Sequence, residues 1–277
     1  MDGYSNRILD RYLSLLGVED GSIEIDQLRE LTRAQLIRAP FENISKIVRV
    51  RVQGAEWIPE LEQYLDDIEA NHFGGTCNTN NYFFNQLLRY LGYDAVTCGA
   101  EIAEPGSSRN GHMVNLVKLD GKQWLIDVGY GAPFWNPIPR EERDDVEVSF
   151  GEDRYLFKPL DQKQRTKLEV YHKGKLVHGY LMRPQPLELE YFREVIKRSY
   201  MENATFLSRL RISRYFDQTA VTLNNSNLVD MDQTSATSRM IENRDELIAS
   251  IIENFEMPEA DVTTAVNSLP DKTLFGS

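Results

Sequence analysis

The spacing of apolar residues divides this chain into a helical first part, a β-rich middle and a mixed last part. Before residue 92, apolar positions recur every three or four residues in four segments, which predicts four amphipathic helices. Pro40 interrupts this pattern between the second and third helix. Later apolar runs are short and bounded by turn residues, as is typical of strands. The predicted strands lie near 114–119, 124–128, 145–149, 154–158, 167–172, 176–183 and 219–230, and an acidic amphipathic helix lies near 244–254.

An Asp-Gly dipeptide at residues 120–121 stands between two apolar runs and predicts a tight β-hairpin. With this dipeptide at the centre of the turn, Leu119 lies opposite Lys122. Because side chains alternate along a strand, His112 and Asp127 then share one face as diagonal neighbours. A longer loop would shift the pairing.

Composition narrows the class of protein. The 277 residues carry 31 Lys and Arg against 43 Asp and Glu, a formal net charge of −12, so we expect no nucleic-acid partner. No apolar run reaches the roughly 20 residues that span a bilayer, and the N-terminal segment lacks the pattern of a signal peptide. The two cysteines, Cys77 and Cys98, have no zinc-binding spacing. We therefore expect a cytoplasmic protein without a metal site.

Cys77 is the candidate nucleophile. It follows Phe-Gly-Gly-Thr and opens the fourth predicted helix. The two glycines permit a close backbone approach, and the N–H groups and dipole of a helix start favour a thiolate. The alternative is a buried structural cysteine, which is how we interpret Cys98.

A nucleophilic cysteine needs a general base and a group that orients it. The predicted hairpin selects His112 as the base and Asp127 as its partner, because a carboxylate inside an apolar strand is costly unless it is paired. The alternatives are a surface histidine and an aspartate that caps a loop. We expect His172 and His178, which flank a turn, to be exposed.

Together these residues resemble the arylamine N-acetyltransferase family over nearly the whole chain. The motifs that carry the resemblance are Ala-Pro-Phe-Glu-Asn-Ile at 39–44, Gly-Gly-Thr-Cys at 74–77 with Asn81, Gly-His at 111–112, Leu-Ile-Asp-Val-Gly-Tyr-Gly at 125–131 and Asn-Ala-Thr-Phe at 203–206.

The resemblance implies an α+β fold in three parts around a core like that of cysteine proteases. A helical bundle over residues 1–85 would carry the nucleophile. An antiparallel β-barrel-like domain over residues 86–190 would carry the histidine and the aspartate. An α/β lid would follow over residues 191–277.

The activity that the resemblance implies is ping-pong acetyl transfer. Cys77 would take the acetyl group from acetyl-CoA, and an arylamine or arylhydrazine would then remove it. His112 would move the protons, and Asp127 would orient His112. Phe41 and Phe206 are the expected walls of the amine pocket, with plain core packing as the alternative.

Acetyl-CoA is a polyanion, so an acidic chain must offer it a local basic surface. The residues expected to contact the coenzyme are Gly129, Tyr130, Gly131, Phe206, Arg209, Arg211 and Arg214. The alternatives are a simple turn for the glycines and a solvated face for the arginines. Beyond these two small molecules we expect no partner, no membrane contact, and a monomer or weak homo-oligomer.

The chain departs from the family's pattern close to the cysteine. The family has Arg four residues before the cysteine and Glu two residues after it, where this chain has Phe73 and Thr79. The joint loss fits the removal of an internal ion pair, since losing one partner would strand a buried charge. Gln35 stands where a histidine is common. The open alternatives are a cysteine hydrolase or an amide synthase with the same triad, such as one closing a macrolactam, and a catalytically silent CoA-binding homologue.

Overall fold

The computed structural model describes residues 3–103 and 110–276. The N-terminal part is helical apart from one short strand, as the apolar spacing predicts. Its elements are α1 (Gly3–Leu16), α2 (Ile25–Arg38), β1 (Phe41–Glu42), α3 (Ile44–Gln53), α4 (Leu61–Asn71) and α5 (Cys77–Tyr90).

Helix α3 is the one helix among those described in the N-terminal part that the apolar spacing does not predict. Its sequence, Ile-Ser-Lys-Ile-Val-Arg-Val-Arg-Val-Gln, alternates β-branched and polar residues, which favours a strand. It is nevertheless helical and buries Lys46 and Arg49 together with its apolar face. Its buried side therefore contains two charged residues beside the apolar ones, so the apolar positions alone do not mark the helix.

An antiparallel eight-stranded sheet forms the middle of the chain, in the order β5-β4-β3-β2-β9-β8-β7-β6. Its strands are β2 (Asp94–Ile102), β3 (His112–Leu119), β4 (Lys122–Ile126), β5 (Ile138–Pro139), β6 (Val146–Phe150), β7 (Asp153–Lys158), β8 (Thr166–His172) and β9 (Lys175–Pro186). The predicted hairpin joins β3 to β4, with Leu119 opposite Lys122 and Asn115 opposite Ile126. Helix α5, which begins at Cys77, packs on β2 and on β3, the first strand of this hairpin.

The C-terminal part combines a second antiparallel sheet with helices. Its elements are the 3₁₀ turns Leu189–Phe192 and Thr205–Leu207, α6 (Arg193–Ser199), β10 (Arg211–Tyr215), β11 (Thr219–Asn224), β12 (Asn227–Asp232), β13 (Ala236–Met240), α7 (Arg244–Phe255), α8 (Glu259–Asn267) and α9 (Asp271–Phe275). Strand β1 from the N-terminal part completes the sheet by pairing with β10, which places Phe41 opposite Ser213.

The predicted α+β organisation, helical first, antiparallel in the middle and mixed last, is confirmed. The three predicted domains stay a prediction, although their boundary at 85/86 falls inside α5 and that at 190/191 inside the 3₁₀ turn Leu189–Phe192. Several contacts cross the predicted parts, among them the pairing of β1 with the C-terminal sheet and the packing of α3 against α8. Within residues 3–103 and 110–276, no helix is long and apolar enough to cross a bilayer.

Gln35 links the helices of the bundle to the segment around the nucleophile. It is fully buried, accepts a hydrogen bond from Tyr12 Oη (2.7 Å) and donates one to Tyr64 Oη (2.9 Å). Tyr64 Oη in turn donates to Asn80 Oδ1 on α5 (3.0 Å). Gln35, at the position where a histidine is common in the family, is therefore part of a network of buried groups that hydrogen-bond one another. Removing Gln35 would take hydrogen-bond partners from the buried tyrosine hydroxyls.

We expect Gln35→Leu to lower the free energy of unfolding by about 1–3 kcal/mol, because it removes the hydrogen-bond acceptor of the buried Tyr12 hydroxyl. Chemical denaturation measures this change. Gln53→Leu is the matched control, since Gln53 is exposed at the end of α3 and its replacement should change stability by no more than about 0.5 kcal/mol. Equal losses in the two variants would contradict the network's contribution.

Candidate active site

Cys77 is held in place by the crossing of two loops. Gly75 N donates to Pro40 O (3.3 Å), and Glu42 N donates to Gly75 O (3.2 Å). At Gly74 an added Cβ would lie 2.0 Å from Pro40 O, so only glycine fits this crossing. The Pro-Phe-Glu segment therefore fixes the glycine loop, and α5 begins immediately afterwards at Cys77.

The structure brings Cys77, His112 and Asp127 together, as the hairpin register predicts. All three are buried, with exposed fractions of 8%, 3% and 1%. His112 Nε2 lies 2.7 Å from Asp127 Oδ2, and the Cys77 sulfur is close enough to the imidazole to help raise the pKa of the ring. Since Nε2 faces Asp127, Nδ1 is the ring nitrogen left for the thiol. The arrangement can pass a proton between sulfur and imidazole while the carboxylate fixes the tautomer.

The charge state of His112 follows from these neighbours. Burial lowers the pKa of His112, but the carboxylate of Asp127 and the Cys77 sulfur together outweigh it and raise the pKa to about 10. The protonated imidazole is therefore the favoured form at neutral pH.

Asn81 holds Asp127 in position from the second turn of α5. Its Nδ2 donates to Asp127 Oδ1 (2.9 Å) and to Met113 O (2.7 Å), and its Oδ1 accepts from Val128 N (3.0 Å). The side-chain amide of Asn81 therefore joins helix α5 to strand β3 and to the segment that follows β4. The sequence offers Asn81 only as part of a motif, because a bonding role four residues beyond the cysteine has no local signal.

Gly129 lies against the nucleophile. Its N–H donates to Asp127 Oδ1 (3.2 Å), and an added Cβ would lie 2.7 Å from Cys77 Cα and 2.6 Å from Asn81 Nδ2. The close approach of two backbones explains the glycine. Its predicted contact with the coenzyme stays a prediction.

The predicted aromatic residues converge beside this centre. The rings of Phe41 and Phe206 meet edge to face with centroids 5.5 Å apart. An added Cβ at Gly131 would touch the Phe41 ring at 3.1 Å. The Tyr130 ring lies 5.5 Å from that of His112.

The prediction that His178 is exposed is wrong. It is half-buried, and its Nδ1 hydrogen-bonds Tyr130 Oη. An irregularity between Val170 and Tyr171 shifts the pairing of β8 with β9, so that His178 lies opposite the buried Val170. Opposed residues share a face of the sheet, which turns this histidine inward. His172 is exposed, as predicted.

The three predicted arginines differ in their surroundings. Arg209 is exposed. Arg211 is half-buried, and its backbone N–H donates to Asn43 Oδ1 (2.8 Å). Arg214 is also half-buried and forms an ion pair with Glu256 (2.6 Å). Among the three, Arg209 is therefore the side chain most open to a ligand.

The two departures near the cysteine lie in apolar or neutral surroundings. Phe73 is buried in the apolar cluster that includes Ile44 and Ile47, and Thr79 is buried against Gly75. A carboxyl group remains nearby at Glu42, which sequence reasoning did not single out. It accepts hydrogen bonds from Ser45 Oγ (2.5 Å) and Ser45 N (2.9 Å), while burial raises its pKa.

Cys98 contrasts with Cys77. It is fully buried in β2 within the apolar cluster of the central sheet, and burial raises the pKa of its thiol to about 12. In the described parts of the chain, no cluster of three or more His, Cys, Asp or Glu side chains could hold a metal ion.

Comparisons with known proteins all indicate the same protein family. The family model described as N-acetyltransferase matches residues 24–260, most of the chain. Proansamycin X synthase of Amycolatopsis mediterranei is 32% identical over 130 residues, covering 45% of this chain and 49% of that protein. The arylamine N-acetyltransferase pineal gland isozyme NAT-10 of Gallus gallus is 30% identical over 140 residues, covering 47% and 46%. The chain thus aligns with about half the length of these curated relatives.

The fold is also that of solved relatives. The structure of Mycobacterium marinum arylamine N-acetyltransferase in complex with CoA matches with a TM-score of 0.78 at 18% identity, covering 96% of this chain and 100% of that one. At this identity the likeness establishes the fold.

We expect the His112 imidazole to stay protonated well above pH 7 and to lose its proton at a lower pH in Asp127→Asn, where the carboxylate no longer raises the pKa of the ring. NMR titration of the ring measures this, with exposed Asp94→Asn as the control.

The same raised pKa has a consequence for stability. Because the folded pKa of about 10 exceeds the unfolded value of about 6.5, the charged pair contributes stability fully below the unfolded pKa. The contribution is lost as the pH rises through the folded pKa. If the His112 imidazole lost its proton at the same pH in the wild type and in Asp127→Asn, the role of Asp127 would be contradicted.

Proposed function

The chain belongs to the arylamine N-acetyltransferase family, and from this premise we propose that it transfers an acetyl group from acetyl-CoA to the nitrogen of an arylamine or arylhydrazine. The observation that carries the proposal is the buried, hydrogen-bonded row of Cys77, His112 and Asp127 at the start of α5. A nucleophile, a base and an orienting carboxylate are the groups that acyl transfer through a thioester requires.

In the first half of the reaction, Cys77 Sγ bonds to the acetyl carbon and the carbon–sulfur bond to CoA breaks. The proton of the Cys77 thiol is held on the His112 imidazole, and His112 donates it to the departing CoA sulfur. Asp127 accepts a hydrogen bond from Nε2–H and stabilises the imidazolium. Thr79 N and Asn80 N both donate to Thr76 O, which leaves the N–H groups of Cys77 and Asn78 without an acceptor inside α5. We assign the Cys77 N–H to the oxyanion.

In the second half, the amine nitrogen bonds to the acetyl carbon and the carbon–sulfur bond to Cys77 breaks. The amine loses a proton to His112, which returns it to the Cys77 sulfur. Water must be kept out, or the thioester would hydrolyse. The 3₁₀ turn that places Phe206 on Phe41 supports a C-terminal part that covers the site.

We assign the amine pocket to Phe41 and Phe206, whose edge-to-face rings offer an apolar surface for an aromatic ring. For the coenzyme we retain the residues that lie beside this pocket or on the strand that follows it: Gly129, Tyr130, Gly131, Phe206, Arg209, Arg211 and Arg214. Gly131 touches Phe41, so the two proposed sites adjoin.

The similarity to a proansamycin X synthase favours a second candidate, an amide synthase in which Cys77 carries a larger acyl group. The same three residues would perform that transfer. The two candidates differ in whether acetyl-CoA acylates the protein.

We expect wild-type protein to gain the mass of one acetyl group after incubation with acetyl-CoA, and Cys77→Ser to gain none. Cys98→Ser should still be acetylated, since that thiol is buried in β2. Mass spectrometry of the intact protein measures the adduct, which an added arylamine should discharge as the acetamide.

Each other outcome identifies an alternative. An adduct on Cys77→Ser would contradict the nucleophile. An adduct that water discharges as fast as amine indicates a hydrolase. Wild-type protein that binds CoA without acetylation indicates a silent homologue, and acylation restricted to larger thioesters indicates the amide synthase.

We expect Arg209→Glu to raise the apparent KM for acetyl-CoA by about 2–5-fold, with a larger effect at low salt because screening is weaker. Arg143→Glu makes the same change in net charge at an exposed site in the β5–β6 connection and serves as the control. Steady-state kinetics at two salt concentrations measure the effect. Equal KM values for the two variants would remove Arg209 from the coenzyme site.

A further inference from the structure

The carboxyl group that pairs with His112 is carried by a loop. Strand β4 ends at Ile126, and residues 127–137 lie outside the ladders of both sheets until β5 begins. Side chains from other elements hold this loop. Asn81 on α5 accepts a hydrogen bond from Val128 N (3.0 Å), and Tyr215 on β10 donates one to Gly131 O (2.7 Å).

Tyr130 lies between these two anchors and contacts the proposed base. Its ring meets the His112 imidazole edge to face, with centroids 5.5 Å apart and planes at 71°. It also stacks on Phe134, with centroids 5.8 Å apart. Because aromatic pairs prefer defined relative orientations, the Tyr130 ring limits the directions in which the imidazole can turn.

The hydroxyl of Tyr130 is tied to the central sheet. A hydrogen bond joins Tyr130 Oη and His178 Nδ1 on β9, and the two rings lie 5.7 Å apart. A continuous row of contacts therefore runs from β9 through the loop to the base, in the order His178, Tyr130 and His112.

The sheet holds His178 in this position. The irregular pairing of β8 with β9 places it opposite the buried Val170. At the next residue, Gly179, an added Cβ would lie 2.2 Å from Leu168 O, so the two strands touch directly beside the histidine. A side chain on a rigid strand can fix a functional group more precisely than a loop can by itself.

We propose that His178 is a positioning residue for acyl transfer: its hydrogen bond fixes the Tyr130 ring, and that ring holds the His112 imidazole in line with Asp127. The inference deepens the proposed function and rests on it. Proton transfer needs the base within hydrogen-bond reach of its partners, and rates fall steeply when a catalytic group is displaced. The alternative is a bond that only stabilises the fold.

The experiment breaks this bond from each side. Tyr130→Phe keeps the ring and removes the hydroxyl, His178→Phe removes the ring nitrogen, and the double variant removes both. His178→Asn places an amide at the position of Nδ1 and can restore the bond. His172→Phe is the matched control, because His172 is an exposed histidine on the neighbouring strand β8.

Four measurements follow the site in these variants. The rate of Cys77 alkylation by iodoacetamide at neutral pH reports the reactivity of the nucleophile without any acyl donor. The NMR resonances of the His112 ring report its position relative to the Tyr130 ring. Single-turnover acetylation and the KM for acetyl-CoA separate the chemical step from binding. Chemical denaturation records any loss of stability.

We expect Tyr130→Phe and His178→Phe each to shift the His112 resonances and to lower the alkylation and acetylation rates by about 5-fold or more. The double variant should lie within about 2-fold of the slower single variant, because the same bond is broken once. In His178→Phe the KM for acetyl-CoA should change by less than about 2-fold, since only the chemical step is affected. His178→Asn should recover most of the rate, and His172→Phe should match wild type.

Unchanged rates and His112 resonances in both single variants would overturn the proposal even if stability fell, because the bond would then serve the fold alone. Losses that multiply in the double variant would also overturn it, since the two residues would then act separately. If His178→Phe does not fold, Tyr130→Phe decides by its own rates and resonances.

Failure of the proposed function has a different signature. Wild-type protein would then gain no acetyl group from acetyl-CoA. The alkylation rates and the His112 resonances would still decide whether His178 positions the base, because neither measurement uses an acyl donor.

Discussion

The candidate active site depends on one buried carboxyl group, that of Asp127. It is 1% exposed, and each of its oxygens is bonded: Oδ1 by Asn81 Nδ2 and Gly129 N, and Oδ2 by His112 Nε2. These donors come from α5, from the segment after β4 and from β3. Because a buried carboxylate with a missing donor is costly, satisfying it fixes helix and hairpin in one relative position. Cys77 is placed by the same constraint, since Gly129 rests on its backbone.

The sequence predicts the pairing of His112 with Asp127 because this part of the site depends on a local turn. Asp120 and Gly121 both adopt positive φ, 51° and 74°, as a two-residue hairpin turn requires. That turn fixes the register of β3 with β4, and the register places His112 and Asp127 on one face. The regular pairing ends at Asn115 and Ile126, next to the site, and the prediction holds because no irregularity lies between the turn and that point. The position of His178 near a turn predicts that it is exposed, but an irregularity in the pairing of β8 with β9 places it opposite the buried Val170.

Other features depend on contacts between distant parts of the chain, and local patterns do not contain them. Strand β1 has only two residues, and it is a strand because β10 pairs with it. Helix α3 has a β-branched, alternating sequence, yet packing against α8 and burial of its cations make it helical. Motif resemblance names Asn81, but only the fold shows that it joins α5 to β3 and to the segment after β4.

The net charge of −12 describes the surface of this protein and says little about its interior. Exposed charges are screened within about 10 Å at ordinary salt, whereas buried ones are not. Inside the protein, buried charges are placed by specific partners: Arg49 pairs with Asp67, and His112 pairs with Asp127. The buried ammonium of Lys46 donates a hydrogen bond to Ser199 Oγ and lies over the Tyr200 ring. The chemistry at Cys77 therefore depends on these local partners and not on the net charge of the chain.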